Sequence, residues 1–129
     1  MKIQEPDYRF GGNWQELADL FGYTLDKHAQ DWTYTIAEAD KIEEYVQAYN
    51  TSIVHEDSKF SLMEMILQAL NDQPTPKLLQ SKWLAVKQLL DQDFELHTYT
   101  IFYWCCWDNE DLSDGWEISP QMREFWLNR

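Results

Sequence analysis

The sequence predicts a mainly α fold: a single compact helical domain over residues 1–129, built from about five to six helices. Three observations predict it. Apolar residues recur at three- and four-residue spacing in several separate segments, which is the period of a helix with one buried face. Helix-start and helix-stop residues stand at the edges of those segments, and no linker or low-complexity stretch divides them. The 129 residues are 44% hydrophobic and include 7 Trp, 7 Tyr and 6 Phe, enough to fill one core without disulfides or metals.

From the N-terminus, residues 1–13 read as irregular, punctuated by Pro6, Gly11 and Gly12, with Asn13 placed to cap the first helix. That short helix, over residues 14–21, puts Leu17, Leu20 and Phe21 on one face, and Gly22 stands where a C-cap belongs. Over residues 32–36, Trp32, Tyr34 and Ile36 alternate with Thr33 and Thr35, which suits a short strand. Thr35 is also the expected N-cap of a helix on which Ile36, Ala39, Ile42, Tyr45, Val46 and Tyr49 share a face. A loop over residues 50–57 leads to Phe60, Met63, Ile66, Leu67 and Leu70. Their arc, broadened by Leu62, Met65 and Ala69, marks the central helix of the core.

Pro74 and Pro76 make the one clear break, and Thr75–Pro76 reads as an N-cap followed by proline at the first helical position. Leu79, Trp83, Val86 and Leu90 then predict a third strong helix with Trp83 in the core. Residues 94–107 admit two readings. Residues 98–104 have the β-branched and aromatic content of a buried strand, yet Asp93 can cap a helix that is apolar nearly all round. The helix is favoured. The alternative is an α+β fold with a small sheet from segments 32–36, 98–104 and 116–118. Ser119–Pro120 opens a last short helix holding Met122, Phe125 and Trp126.

Charge is the extreme feature. The chain has 23 acids against 10 bases, a formal net charge of -13. Phosphate backbones and anionic membranes repel such a field, so neither direct nucleic-acid binding nor membrane binding is expected. A basic protein is attracted instead, with the field raising its association rate. No apolar run approaches the roughly 18 residues of a membrane span, and residues 1–10 lack the apolar core of a secretory signal. Cys105 and Cys106 are adjacent and poorly placed to bridge each other, so reduced thiols and a cytoplasmic setting are expected.

Catalytic templates are missing: the sequence holds no G-x-S-x-G, P-loop, G-x-G-x-x-G or H-E-x-x-H. A calcium loop starting at Asp108 fails at its fifth and sixth positions, Leu112 and Ser113. His97 and Cys105 could in principle form a Cys–His pair, but apolar neighbours and nearby acids raise a thiol pKa, so the cysteines read as small buried hydrophobes. No catalytic residue, metal or cofactor is expected, and the chain reads as a binding protein rather than an enzyme.

The densest acidic stretch is Asp108, Glu110, Asp111, Asp114 and Glu117, edged by Trp107 and Trp116. Steering carboxylates beside large aromatic anchors are the ingredients of an interface. The expected partner-binding residues are Trp107, Asp108, Glu110, Asp111, Asp114 and Trp116, with Glu38, Asp40, Glu43 and Glu44 as a second acidic patch. The segment WDNEDLSDGWEISPQMREFW, the chain's size and its charge of -13 together resemble small acidic bacterial toxin-immunity proteins. That resemblance implies an inhibitor that occludes a basic toxin or nuclease one to one inside the producing cell. A small enzyme with a carboxylate-lined site and an accessory subunit with incidental acidity are the alternatives.

Overall fold

Ten of the sixteen residues of Glu56–Asn71 are buried, and that helix is the axis on which the other elements pack. The computed structural model describes residues 3–26, 28, 30–53, 55–109 and 115–129. In chain order the helices are α1 (Trp14–Phe21), α2 (Trp32–Ile36), α3 (Ile42–Thr51), α4 (Glu56–Asn71), α5 (Pro76–Gln92), α6 (Phe94–Cys105) and α7 (Ser119–Leu127). A 3-10 turn, Ala39–Lys41, leads into α3. Helices α1, α2, α3, α5 and α6 all pack on α4, and α7 packs on α6. Among the described residues no helix is long and apolar enough to cross a membrane.

The chain is 67% helix with no strand among the described residues, so the α+β alternative is corrected. Residues 98–104 lie inside α6, as the favoured reading had it, and residues 32–36 form α2. The alternation at 32–36 misled because it is too short to separate one helical turn from a strand. The two residues it buries are the neighbours Trp32 and Thr33, a turn's pattern rather than a strand's. Helix α2 is therefore an element beyond the expected five to six, and Thr35 lies inside it instead of capping α3.

Cap signals were mostly well placed. Gly22 ends α1 in the left-handed region at φ 73°, and the Thr75 hydroxyl accepts from the Leu78 amide at 3.2 Å. Asn13 and Asp93 occupy N-cap positions, but their side chains serve longer links: Asn13 Nδ2 donates to Ser58 Oγ at 3.0 Å, and Asp93 accepts from Tyr49. Ser119 is the first residue of α7 rather than its cap, and its hydroxyl donates to the Trp104 carbonyl at 2.8 Å. Two side chains expected in the core lie further out. Leu20 is exposed, and Trp83 is half-buried, edge-on to Phe125 at 6.4 Å.

Candidate functional site

Helix α6 is apolar nearly all round because it is wanted on two sides. Ile101 and Trp104 face the core, while Tyr99, Phe102 and Tyr103 stay half-buried or exposed. This outer face joins its neighbours in a run of ring contacts. Tyr8 meets Tyr99 edge-on at 5.1 Å, Tyr103 stacks on Tyr34 at 6.1 Å, and Trp116 lies 4.9 Å from Tyr103. The N-terminal arm reaches this face because Gly11 lets the backbone lie against α4. A Cβ at that position would stand 2.9 Å from both the Asp57 carbonyl oxygen and the Phe60 ring. The arm's Tyr8 and Phe10 remain 72% and 57% exposed, unusual for rings with a core beside them.

Beneath this aromatic run lies Glu64 of α4. It is the one charged residue in the apolar stretch from Leu62 to Leu67, and the packing of α2 and α6 over α4 closes around it. Thr33 Oγ1 donates to Glu64 Oε1 at 3.0 Å. A hollow of about 160 Å³ opens over the carboxylate, lined among others by Tyr8, Trp14, Asp31, Tyr34, Tyr99 and Tyr103. Burial pushes the Glu64 pKa up to about 7; the Thr33 and Tyr34 hydroxyls pull it down and the nearby Asp31 charge adds to the rise. Burial also raises the Tyr34 phenol, so it stays neutral and serves as a donor. A carboxylate poised near neutrality in an aromatic hollow can hold a cation or pass a proton.

No protein-family model, curated protein or solved structure matches the chain.

Of the residues expected to bind a partner, Trp107, Asp108 and Trp116 are described; Glu110, Asp111 and Asp114 lie outside the described residues. Asp108 is exposed and lines a groove of about 580 Å³ with Glu5, Phe102, Trp107 and Trp116. Trp107 has one face covered, because the Arg123 guanidinium sits 4.8 Å from its ring. That arginine comes back from α7 to the end of α6. It donates to the carbonyls of Cys105 at 2.6 Å, Cys106 at 2.5 Å and Asn109 at 2.8 Å, capping a helix that ends in a left-handed Cys106 at φ 56°. Sequence distance from Lys87 to Arg123 thus hid a cation that the fold brings to the acidic stretch.

The second patch is partly engaged in structure. Glu38 accepts from Tyr23 at 2.7 Å, and Glu43 pairs with Lys82. Asp40 and Glu44 are exposed. The 38–44 segment and residues 117–118 meet at the C-terminal end of α4. Gln73 donates to the Ala39 carbonyl at 2.9 Å, and Asn71 accepts from the Ile118 amide at 3.2 Å. Glu117 lines a hollow with Gln73 and Pro74, while Asp40 lines another beside the same two residues. Glu117 and the second patch therefore share one end of the molecule, whereas Asp108, with Trp107 and Trp116, belongs to the α6 face.

Sequence reasoning also missed a polar triad that runs from the core to a half-buried Asp93, where Lys59 stands 3.9 Å away. Tyr49 Oη donates to Asp93 Oδ2 at 2.8 Å and lies 2.6 Å from His97 Nε2. Because the hydroxyl proton goes to the carboxylate, His97 carries its proton on Nε2 and donates it to Tyr49. Nδ1, buried without a partner, is then a bare acceptor rather than a stranded N–H. Burial lowers the His97 pKa to about 3, outweighing the opposing Asp93 charge. This histidine is neutral and enclosed, and its partner is Tyr49 rather than a cysteine. Cys105 is buried too, its thiol pushed up to about 12 mainly by burial, which makes it a poor nucleophile.

Proposed function

We propose that the protein is an acidic binding module that occludes a basic protein with the aromatic face of α6, as an immunity-type inhibitor occludes a toxin or nuclease. The observation that carries the reading is the coincidence of anchors and charge on one surface. Tyr8, Phe10 and Tyr103 are exposed there, and exposed Glu5, Asp31 and Asp108 border the hollows around them. Aromatic side chains supply contact area at low entropic cost, and surrounding carboxylates select and orient a basic partner. A net charge of -13 steers that partner in and repels nucleic acid. Trp116 supports the face from behind through Tyr103 and Trp104. Glu110, Asp111 and Asp114 join the reading on their sequence position alone, and two free cysteines suit a reducing compartment.

One observation favours a second reading. Glu64, raised to about 7, has the pKa of a general acid or base. Among the described residues the hollow around it offers phenols, an indole, Arg9 and Asp31 but no histidine or thiol, and binding is the use of the carboxylate these favour. The test is affinity capture from source-cell lysate at low and high salt, with wild type beside a Tyr103→Ala, Asp108→Lys variant. A basic protein retained at low salt, released by salt and lost with the variant is the expected result. Retention of no basic protein by the wild type at low salt refutes the reading.

A further inference from the structure

We infer that the hollow over Glu64 is a cation site, and that its occupant is the guanidinium head of one arginine presented by the basic partner. The inference rests on the binding reading above and names the chemistry of its central contact. Four features support it. First, the hollow is about 160 Å³, below the roughly 300–1,000 Å³ of pockets that enclose whole small-molecule ligands, so it suits a single side-chain head. Second, its floor is a carboxylate and its walls are aromatic, the two groups that hold a planar cation from its edge and its faces. Third, a carboxylate accepts about four hydrogen bonds, so the Thr33 and Tyr34 hydroxyls leave capacity for a guanidinium fork.

The fourth feature is what the chain does with its own arginines. All three lie over aromatic rings: Arg9 over Phe60 at 5.6 Å, Arg123 over Trp107 at 4.8 Å and Arg129 over Phe94 at 4.3 Å. Among the described residues, no ion pair or cation–ring contact involves Glu64, Tyr34, Tyr99 or Tyr103. Arg9 borders the hollow, yet its guanidinium pairs with Asp57 at 3.5 Å. Besides Arg9, the charged groups described around the hollow are acids. Asp31 acts on Glu64, and Asp31, Glu5 and Glu64 act on the phenols of Tyr99 and Tyr103. Arginine fits better than lysine, because a flat guanidinium stacks on rings while it forks onto the carboxylate.

Binding requires the ionised carboxylate, so it strengthens as pH rises through about 7 and levels off above. The ionised fraction at pH 5.5 is about 3%, which weakens affinity about thirtyfold relative to pH 8.5. Arg9, Asp31 and Tyr8 also border the hollow, and burial raises the Tyr34, Tyr99 and Tyr103 phenols, which stay neutral through that window.

The experiment titrates isotope-labelled full chain with N-acetyl-argininamide at pH 8.5 and 5.5, following the Trp14 indole and the Thr33 and Tyr34 amides by NMR. N-acetyl-citrullinamide, of the same shape without charge, is the control ligand. We expect saturable shifts at those groups, at least tenfold stronger for arginine than citrulline. Glu64→Gln should abolish them, while Asp72→Asn, an equal change of charge on an exposed residue, retains them. Equal response to both ligands overturns the inference, as does unaltered binding by Glu64→Gln, or shifts confined to residues 38–44. The two readings fail separately. If Glu64→Gln captures the basic partner as well as wild type does, the cation site is wrong and the α6 face stands; if wild type binds argininamide but no protein, the converse holds.

Discussion

Replacing Glu64 by Gln should make the protein more stable, and more so at pH 8 than at pH 5. Glutamine keeps the size of the side chain and an oxygen for the Thr33 hydroxyl at 3.0 Å, so little is lost in packing or hydrogen bonding. The need to bury a charge disappears. With a pKa of 4.5 when unfolded and about 7 when folded, Glu64 binds more protons in the folded chain between those values. Its contribution is therefore most favourable below pH 4.5 and is lost as pH rises through about 7. At 1.36 kcal/mol per unit, the penalty approaches about 3 kcal/mol at pH 8 and about 1 kcal/mol at pH 5. Residual solvent contact trims both, leaving a difference of about 2 kcal/mol between the two pH values. His97 acts in the opposite sense: its pKa is depressed to about 3, so its contribution is present above pH 6.5 and lost as pH falls toward 3. That effect is common to both proteins and cancels in the comparison. Urea denaturation followed by tryptophan fluorescence measures the difference, and a midpoint raised by about 1 M at pH 8 is expected. A variant no more stable than wild type at pH 8, or stabilised equally at both pH values, would show that Glu64 is not held in the environment described.

Other changes probe the neighbouring elements. Tyr49→Phe should cost about 2–4 kcal/mol, since it strands the buried His97 Nε2–H and removes a bond to the Asp93 carboxylate. Adding His97→Leu should recover part of that loss in chemical denaturation, whereas a simple packing defect would only deepen. Gly11→Ala should cost about 1–3 kcal/mol by pushing the N-terminal arm off α4, with loss of the Tyr8–Tyr99 ring contact, followed by NMR, as the local readout. Arg123→Met should cost about 2–3 kcal/mol through the three carbonyls it leaves, and should red-shift emission as Trp107 is uncovered. Unchanged melting and emission after that substitution would remove the capping role.

Much of the fold was legible because its signals are local. The left-handed Gly22, the Thr75–Pro76 pair and the apolar arc of α4 each depend on residues within one or two turns. Helix α6 was readable for the same reason: it is apolar all round, and twelve residues exceed what most strands need. Trouble came where a neighbour decides. Five residues of α2 carry too few turns to establish a period, and Trp83 stands on the right face of α5 but at its rim, where α7 covers only one edge. The site was less legible than the fold. Searching for runs of acids finds Asp108 and Glu44, whose carboxylates face water, and passes over Glu64, an isolated acid among Leu62, Met63, Met65 and Ile66. The useful signal was a single charge interrupting an apolar arc, and its meaning depended on α2 and α6 closing over it.

The position of Glu64 bears on why the central helix is built as it is. Burying a carboxylate there costs stability that leucine or methionine would not, and Thr33 and Tyr34 compensate only in part, since the pKa still rises. A core built for stability alone would place an apolar residue between Met63 and Met65 and fill the space above it. Instead a hollow stands over the carboxylate, and the arm held by Gly11 adds Tyr8 at its rim rather than closing it. An arriving guanidinium would reverse the desolvation penalty at the moment of contact, by pairing the charge that the fold leaves unpaired. The same substitution should therefore stabilise the free protein and weaken its complex. A carboxylate serving only the fold would move both quantities in one direction, so the opposed signs in Glu64→Gln separate a binding group from a structural one.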